Sequence, residues 1–317
     1  MGEAAPLFGV VGAEPPSGAR AEWFAGAGRA RLRAALVPAA GSARGSVVVS
    51  PGRTEPIEKY FEMAARLASR GFVVLIHDWR GQGLSARALA DHSLGHADGY
   101  GQFLADYAAL LAAFEARLPR PWLAIGHSMG GCLALLALAH GEARFSGALL
   151  SAPMLGLLTG QVPPPVARGL AGMFKALGRA GQAVFGPPAI AAPFEGNVLT
   201  HDPVRYGRNL ALVEAAPDLA LGLPTWGWLD FAFSATRELQ TGPGVARLDI
   251  PVTVLAAGED ALVDNAALRR VAGRLPKGRF ELVPGARHEL FQETDQIQAV
   301  VWRAFDELVG VKEGVGA

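Results

Sequence analysis

Apolar and polar positions along the chain follow two rhythms. Between residues 20 and 49, the extended pieces AEWF, ARLRAALV and SVVV alternate with glycine-rich breaks, a pattern that predicts hairpin-forming strands at an antiparallel sheet edge. The period then switches back and forth. A helix over about 55–69, the strand FVVLIH, a helix over about 102–118, the strand WLAIG, a helix from Met129 and the strand GALLS follow one another. Strand and helix in alternation predict an α/β fold, a mostly parallel central sheet flanked by helices. These three strands are nearly continuous apolar runs, as burial on both faces requires.

From 153 to 245 the rhythm breaks into helical pieces punctuated by Pro and Gly, such as MLGLLTG, VARGLAGMFKALGRAGQAVF and DLALGLPTWGWLDFAFSATREL, with hardly any strand signal. The sheet resumes with PVTVLAAG, a helix over about 265–275, the strand RFELV and a helix over about 295–308. The expected organisation is therefore a core from residues 1–152, a helical cap inserted over 153–245, and the core resumed over 246–317. The last residues, VKEGVGA, read as a loose tail.

Composition narrows the function classes. At 317 residues the chain is long enough for one such domain with its insertion. Charged residues make up 18%, below the roughly 25% of an average soluble protein, yet no run of 18 uncharged apolar residues marks a membrane span. Lys plus Arg and Asp plus Glu both number 29, so no basic field favours nucleic acid as a partner. The opening residues lack the basic n-region of a signal peptide, and a cytoplasmic protein is expected. A lone cysteine, Cys132, excludes an internal disulfide and sits in an apolar run, where a buried small hydrophobe is expected.

The chemistry concentrates in WLAIGHSMGG, where Ser128 stands between Gly126 and Gly130 at the junction of a buried strand and an apolar helix. Glycine-rich sequence alone yields about 0.2 chance Gly-x-Ser-x-Gly matches in a chain with 40 glycines, so the strand–turn–helix setting is what points to a nucleophile elbow. A serine hydroxyl needs a histidine base, and the base needs a carboxylate to orient it. His288, just past the last strand, is the expected base; the other six histidines precede the serine, follow it within its helix, or fall in the cap. Asp260, two residues beyond Gly258, is the expected acid, while Asp264 is expected to cap the following helix. Oxyanion donors are expected at the backbone N–H groups of Met129 and Arg53, the latter freed for close approach by Gly52.

With SPGRTEPIEKYFEMAARLASRGFVVLIHDWRGQGLS, IGHSMGG, SAPM, LTHDPVRY, AGEDALVDN and GARHEL in order, the chain from about Gly45 to Leu308 resembles the lysophospholipase and monoacylglycerol lipase branch of the α/β-hydrolases. One departure is Pro51-Gly52 where many members have histidine-glycine, so the contact made by that histidine is lost while the backbone donor remains. The resemblance implies an α/β-hydrolase fold, a lipid mono-ester substrate, a Ser128, Asp260, His288 triad with Arg53 and Met129 as oxyanion donors, and no cofactor or metal. In DWRGQG, Gly81 and Gly83 are expected to form a tight loop held by an Arg80–Asp78 pair. The cap's apolar pieces are expected to line an acyl channel and to give transient contact with a membrane surface.

Rival readings differ in class. Gly81, Gly83 and Ala86 fit a dinucleotide-binding fingerprint after a strand, but that fingerprint must open a helix at once, and ARALADHSLGHADGYG does not. An inert scaffold binding an acyl ligand or a protein is the other, against which a complete triad speaks. Among enzymes, acyl transfer or a general carboxylesterase activity on small esters are the alternatives.

Overall fold

The computed structural model describes residues 2–184 and 193–310; the expected loose tail and the end of one cap piece lie outside them. Nine strands form one sheet: β1 Ala4–Ala5, β2 Arg20–Ala25, β3 Arg31–Val37, β4 Gly45–Ser50, β5 Phe72–His77, β6 Trp122–His127, β7 Phe145–Ser151, β8 Val252–Ala257 and β9 Gly278–Val283. Their order is β1-β2-β3-β5-β4-β6-β7-β8-β9. The β2–β3 hairpin and the β3–β5 pair are antiparallel, and every pair from β5 to β9 is parallel.

One expectation needs correction. SVVV does not lie at the antiparallel edge: β4 runs parallel between β5 and β6, and all six of its residues are buried. A run of three valines without a polar alternate is the mark of a strand covered on both faces, and the glycine breaks before it only begin the crossover.

The helices are α1 Phe61–Ser69, α2 Tyr100–Phe114, α3 Met129–Ala139, α4 Pro164–Ala176, α5 Pro203–Ala215, α6 Trp226–Thr241, α7 Asn265–Ala272 and α8 Asp295–Leu308. Local chemistry starts several of them. Asp202, Thr225 and Asp264 accept backbone N–H bonds at the starts of α5, α6 and α7, so Asp264 is the cap expected of it. Helix α3 is buried along nearly its whole length, and Cys132 within it is fully buried, which pushes its thiol well above the ordinary range.

Between β7 and β8 the described residues contribute α4, α5 and α6 and no strand to the sheet. The glycines after β5 do not open a helix. Gly81 and Gly83 take φ of 85° and 55° in a loop, and α2 begins only at Tyr100, which removes the dinucleotide reading. The expected Arg80–Asp78 pair is absent as well. Arg80 instead grips Asp106 through two bonds of 2.7 Å, and Asp78 accepts from Arg33 at 2.7 Å. Asp78 already lies beneath its own loop, accepting from the Leu84 N–H at 2.9 Å, and a Cβ on Gly83 would stand 2.1 Å from its carboxyl carbon.

Candidate active site

The carboxyl ends of β4, β6, β8 and β9 carry all five residues singled out from the sequence. Ser128 follows β6 with φ 49° and ψ −117°, a backbone conformation that costs about 1–3 kcal/mol and persists only where its surroundings fix it. Those surroundings are visible. Its N–H donates to the Ser151 carbonyl at 3.0 Å, and its own carbonyl accepts from Cys132 and Met154 at 3.0 and 2.9 Å. The flanking glycines are required sterically: a Cβ on Gly126 would lie 2.6 Å from Gly131 Cα, and one on Gly130 only 2.0 Å from the Ser50 carbonyl oxygen.

His288 lies after β9 and is buried. Its Nδ1 is 2.7 Å from Asp260 Oδ2, while Asp260 Oδ1 accepts the N–H groups of Leu262 and Val263 at 2.8 and 3.0 Å. Burial opposes the Asp260 charge, but the bond and charge of His288 together with those two amides outweigh it and hold the carboxyl below the usual range. The two loops are tied to each other, since the Glu259 N–H donates to the Ala286 carbonyl at 2.8 Å. Ser128, Met129, Arg53 and His288 all line one cavity of about 590 Å³. Most of its exposed wall is apolar, with Met154, Leu157, Leu262 and Val263 among the residues that shape it. The Met129 amide stands at the first turn of α3, where a helix N-terminus presents unpaired N–H groups.

A buried ionic network under the cavity had no role assigned from the sequence. Lys59 Nζ bridges Glu55 at 2.8 Å and Glu289 at 2.6 Å, and Tyr60 Oη donates to Glu55. Glu55 Oε2 also takes the Gly52 N–H at 2.6 Å, so this carboxylate fixes the turn that presents the Arg53 backbone. Burial works against charge on Glu55, yet Lys59, His127 and Tyr60 outweigh it and hold its carboxyl below the usual range. His127 packs its ring 4.8 Å from that of His288, and its Nδ1 is 3.1 Å from the Ser151 carbonyl oxygen. The signal was present in TEPIEKY, where Glu55 and Lys59 are one helical turn apart, but Glu289 lies 230 residues from Lys59.

No cluster of metal-ligating side chains occurs among the described residues, and no helix among them is long and apolar enough to cross a membrane. A nine-stranded, mostly parallel sheet, with a serine at a strained strand–helix turn and an aspartate-bonded histidine lining the same cavity, defines an α/β-hydrolase, an enzyme of the hydrolase class. The chain belongs to the family described as serine aminopeptidase, S33, which matches residues 41–295. Lysophospholipase L2 of Escherichia coli K12 is 36% identical over 270 residues, covering 81% of this chain and 78% of that one. Monoacylglycerol lipase of Mycolicibacterium smegmatis is 27% identical over 285 residues, covering 86% and 91%. Among solved structures, a soluble variant of monoglyceride lipase from Saccharomyces cerevisiae in complex with a substrate analog shares the fold with a TM-score of 0.74, at 19% identity over 96% of this chain and 99% of that one.

Proposed function

We propose that this carboxylic ester hydrolase acts on lipid-like substrates, a lysophospholipid or a monoacylglycerol, through Ser128, His288 and Asp260. The observation that carries the reading is the 2.7 Å bond from His288 Nδ1 to Asp260, which leaves Nε2 as the free ring nitrogen at the cavity that Ser128 also lines. Kinship with a lysophospholipase and a monoacylglycerol lipase supports the substrate class.

In the proposed cycle Ser128 Oγ attacks the ester carbonyl carbon and passes its proton to His288 Nε2, while Asp260 fixes the tautomer and offsets the imidazolium charge. The amides of Arg53 and Met129 hold the oxyanion. Neither N–H donates to an acceptor among the described residues, so both are available. The carbon–oxygen bond to the alcohol breaks, and His288 returns the proton to that leaving oxygen. Water then attacks the acyl-serine, gives its proton to His288, and the carboxylic acid departs as Ser128 recovers its hydrogen. Replacing Ser128 with Ala is expected to lower turnover of a p-nitrophenyl ester by about 10⁴-fold or more with the melting temperature preserved. A variant retaining a tenth of the activity removes Ser128 from the mechanism.

The helices between β7 and β8 act in this reading as a cap over the cavity and as its lipid-facing surface. Val166, Met173 and Leu177 are about half exposed along one face of α4 and its C-terminal end, where spacings of seven and four residues align them. Residues 160–184 carry no carboxylate; Lys175 is paired with Asp230 at 2.6 Å, and Arg168 and Arg179 are left as the charges suited to an anionic lipid surface. Co-flotation with liposomes containing anionic lipid is expected, weakened by Met173→Glu; protein that stays wholly in solution ends the membrane reading.

A further inference from the structure

The cavity has two unlike walls. Strand order β4-β6-β7-β8 sets the loop after β4, with Arg53, on one side of Ser128, and the loops after β7 and β8, with Leu157, Leu262 and Val263, on the other. The second wall is largely hydrocarbon, with Thr159 beside Leu157 and Leu158, and the first also carries Leu221 and Pro224. On the first stands a cation that no carboxylate meets: among the described residues Arg53 forms no ion pair, and the one hydrogen bond of its side chain is from Nη2 to the Gly222 carbonyl oxygen. Its guanidinium carbon lies 5.2 Å from the centre of the Trp228 ring, and its Nε is buried with no hydrogen-bond partner. Glu55, two residues along, is already engaged by Lys59, Tyr60 and the Gly52 amide.

A guanidinium held against apolar surface without an anion is costly, and burial draws its pKa down to about 10, so it remains charged at neutral pH. A desolvated cation without an anion at the edge of a cavity marks a candidate ligand contact. Its planar donor fork matches a phosphate, and the ring of Trp228 fixes the orientation of that fork. An ester bound with its carbonyl at Ser128 projects its acyl chain and its alcohol to opposite sides. The hydrocarbon wall suits the chain, which leaves the alcohol toward Arg53.

Resting on the lipid-ester reading above, we propose that the Arg53 guanidinium receives the head-group phosphate of a lysophospholipid, so that this enzyme selects anionic glycerophospho-esters over neutral monoacylglycerols. Arg53 is then a specificity residue through its side chain, independently of the oxyanion contact made by its backbone. The carboxylate of a released fatty acid has related chemistry, and the experiment separates the two sources.

The measurement is the ratio of kcat/KM for lysophosphatidylglycerol to that for the monoacylglycerol of the same chain, below micelle-forming concentration, in wild type, Arg53→Lys and Arg53→Gln. Loss of a charged hydrogen bond predicts a ratio ~10–100-fold lower in Arg53→Gln, with partial recovery in Arg53→Lys. The ratio cancels any general loss shared by both substrates. An unchanged ratio overturns the proposal, and an unchanged ratio with weakened fatty-acid inhibition in Arg53→Gln reassigns Arg53 to the product carboxylate. Wild-type protein inert toward both esters overturns the lipid-ester reading instead. In that event a thermal shift with glycerophosphoglycerol that Arg53→Gln abolishes still supports the anion site, and the absence of any shift overturns it.

Discussion

Arg33 and Arg53 show what an interior does with a cation when it has neutralised it and when it has not. Arg33, on β3, is wholly buried and saturated: Nε binds Asp78 at 2.7 Å, and Nη1 and Nη2 bind Glu58 at 2.7 and 2.8 Å. Burial alone disfavours its charge, but the two carboxylates outweigh that and push its pKa above the ordinary value. Among the described residues Arg53 meets no carboxylate, and burial moves its pKa the other way. One cluster is closed and serves the fold by clamping the loop after β5 to the start of α1. The other belongs to a residue that lines the cavity, and in the proposal above a bound ligand supplies its partner.

This contrast makes opposite demands on stability. Arg33→Met leaves Asp78 and Glu58 facing each other in a buried site, and should cost about 3–5 kcal/mol of unfolding free energy. Arg53→Met removes a charge that nothing balances, and should change stability by less than about 1 kcal/mol, or raise it. Urea midpoints of the two variants measure both. Equal losses would mean that Arg53 is as structurally committed as Arg33, and the distinction between a closed and an open cation would be lost.

What could be read from the sequence divides along the same line. Ser128 was legible because its turn tolerates only glycine at 126 and 130, and the clash distances at those positions show why. Asp260 and Asp264 were separable by spacing, since one follows the strand-ending glycine and the other directly precedes α7. Helix α8, spanning Asp295–Leu308, agrees with the sequence expectation at both ends. The ionic partners were not legible. Asp78 and Arg80 are neighbours along the chain, yet they pair with Arg33 and Asp106, 45 and 26 residues away, because side-chain direction at a strand end is set by the whole sheet. β4 was misplaced for a related reason: the residues before it describe a hairpin, and only its unbroken valines report that both faces are covered.

Two buried histidines offer the smallest and most local comparison of cavity with core. His77 ends β5, 3% exposed, its ring edge-on to Trp79 at 4.3 Å; His127 ends β6 beside the cavity, 4% exposed. Burial lowers both, His77 to about 3 and His127 to about 4, where Glu55 pulls the latter upward while His288 and Lys59 push it down. Since both folded values lie below the unfolded value near 6.5, the unfolded chain binds protons that the folded chain refuses, and stability is lost as pH falls from about 6.5 toward 4. Each fully contributing histidine adds a slope of about 1.4 kcal/mol per pH unit. Glu58 and Glu289, whose carboxyls burial raises, act in the opposite sense, so the informative quantity is the difference from a variant. His127→Asn should flatten the dependence of unfolding free energy on pH between 6 and 5 by about 1 kcal/mol per unit. If its slope matches that of wild type, His127 is protonated in the native state, and its burial beside His288 does not keep it neutral.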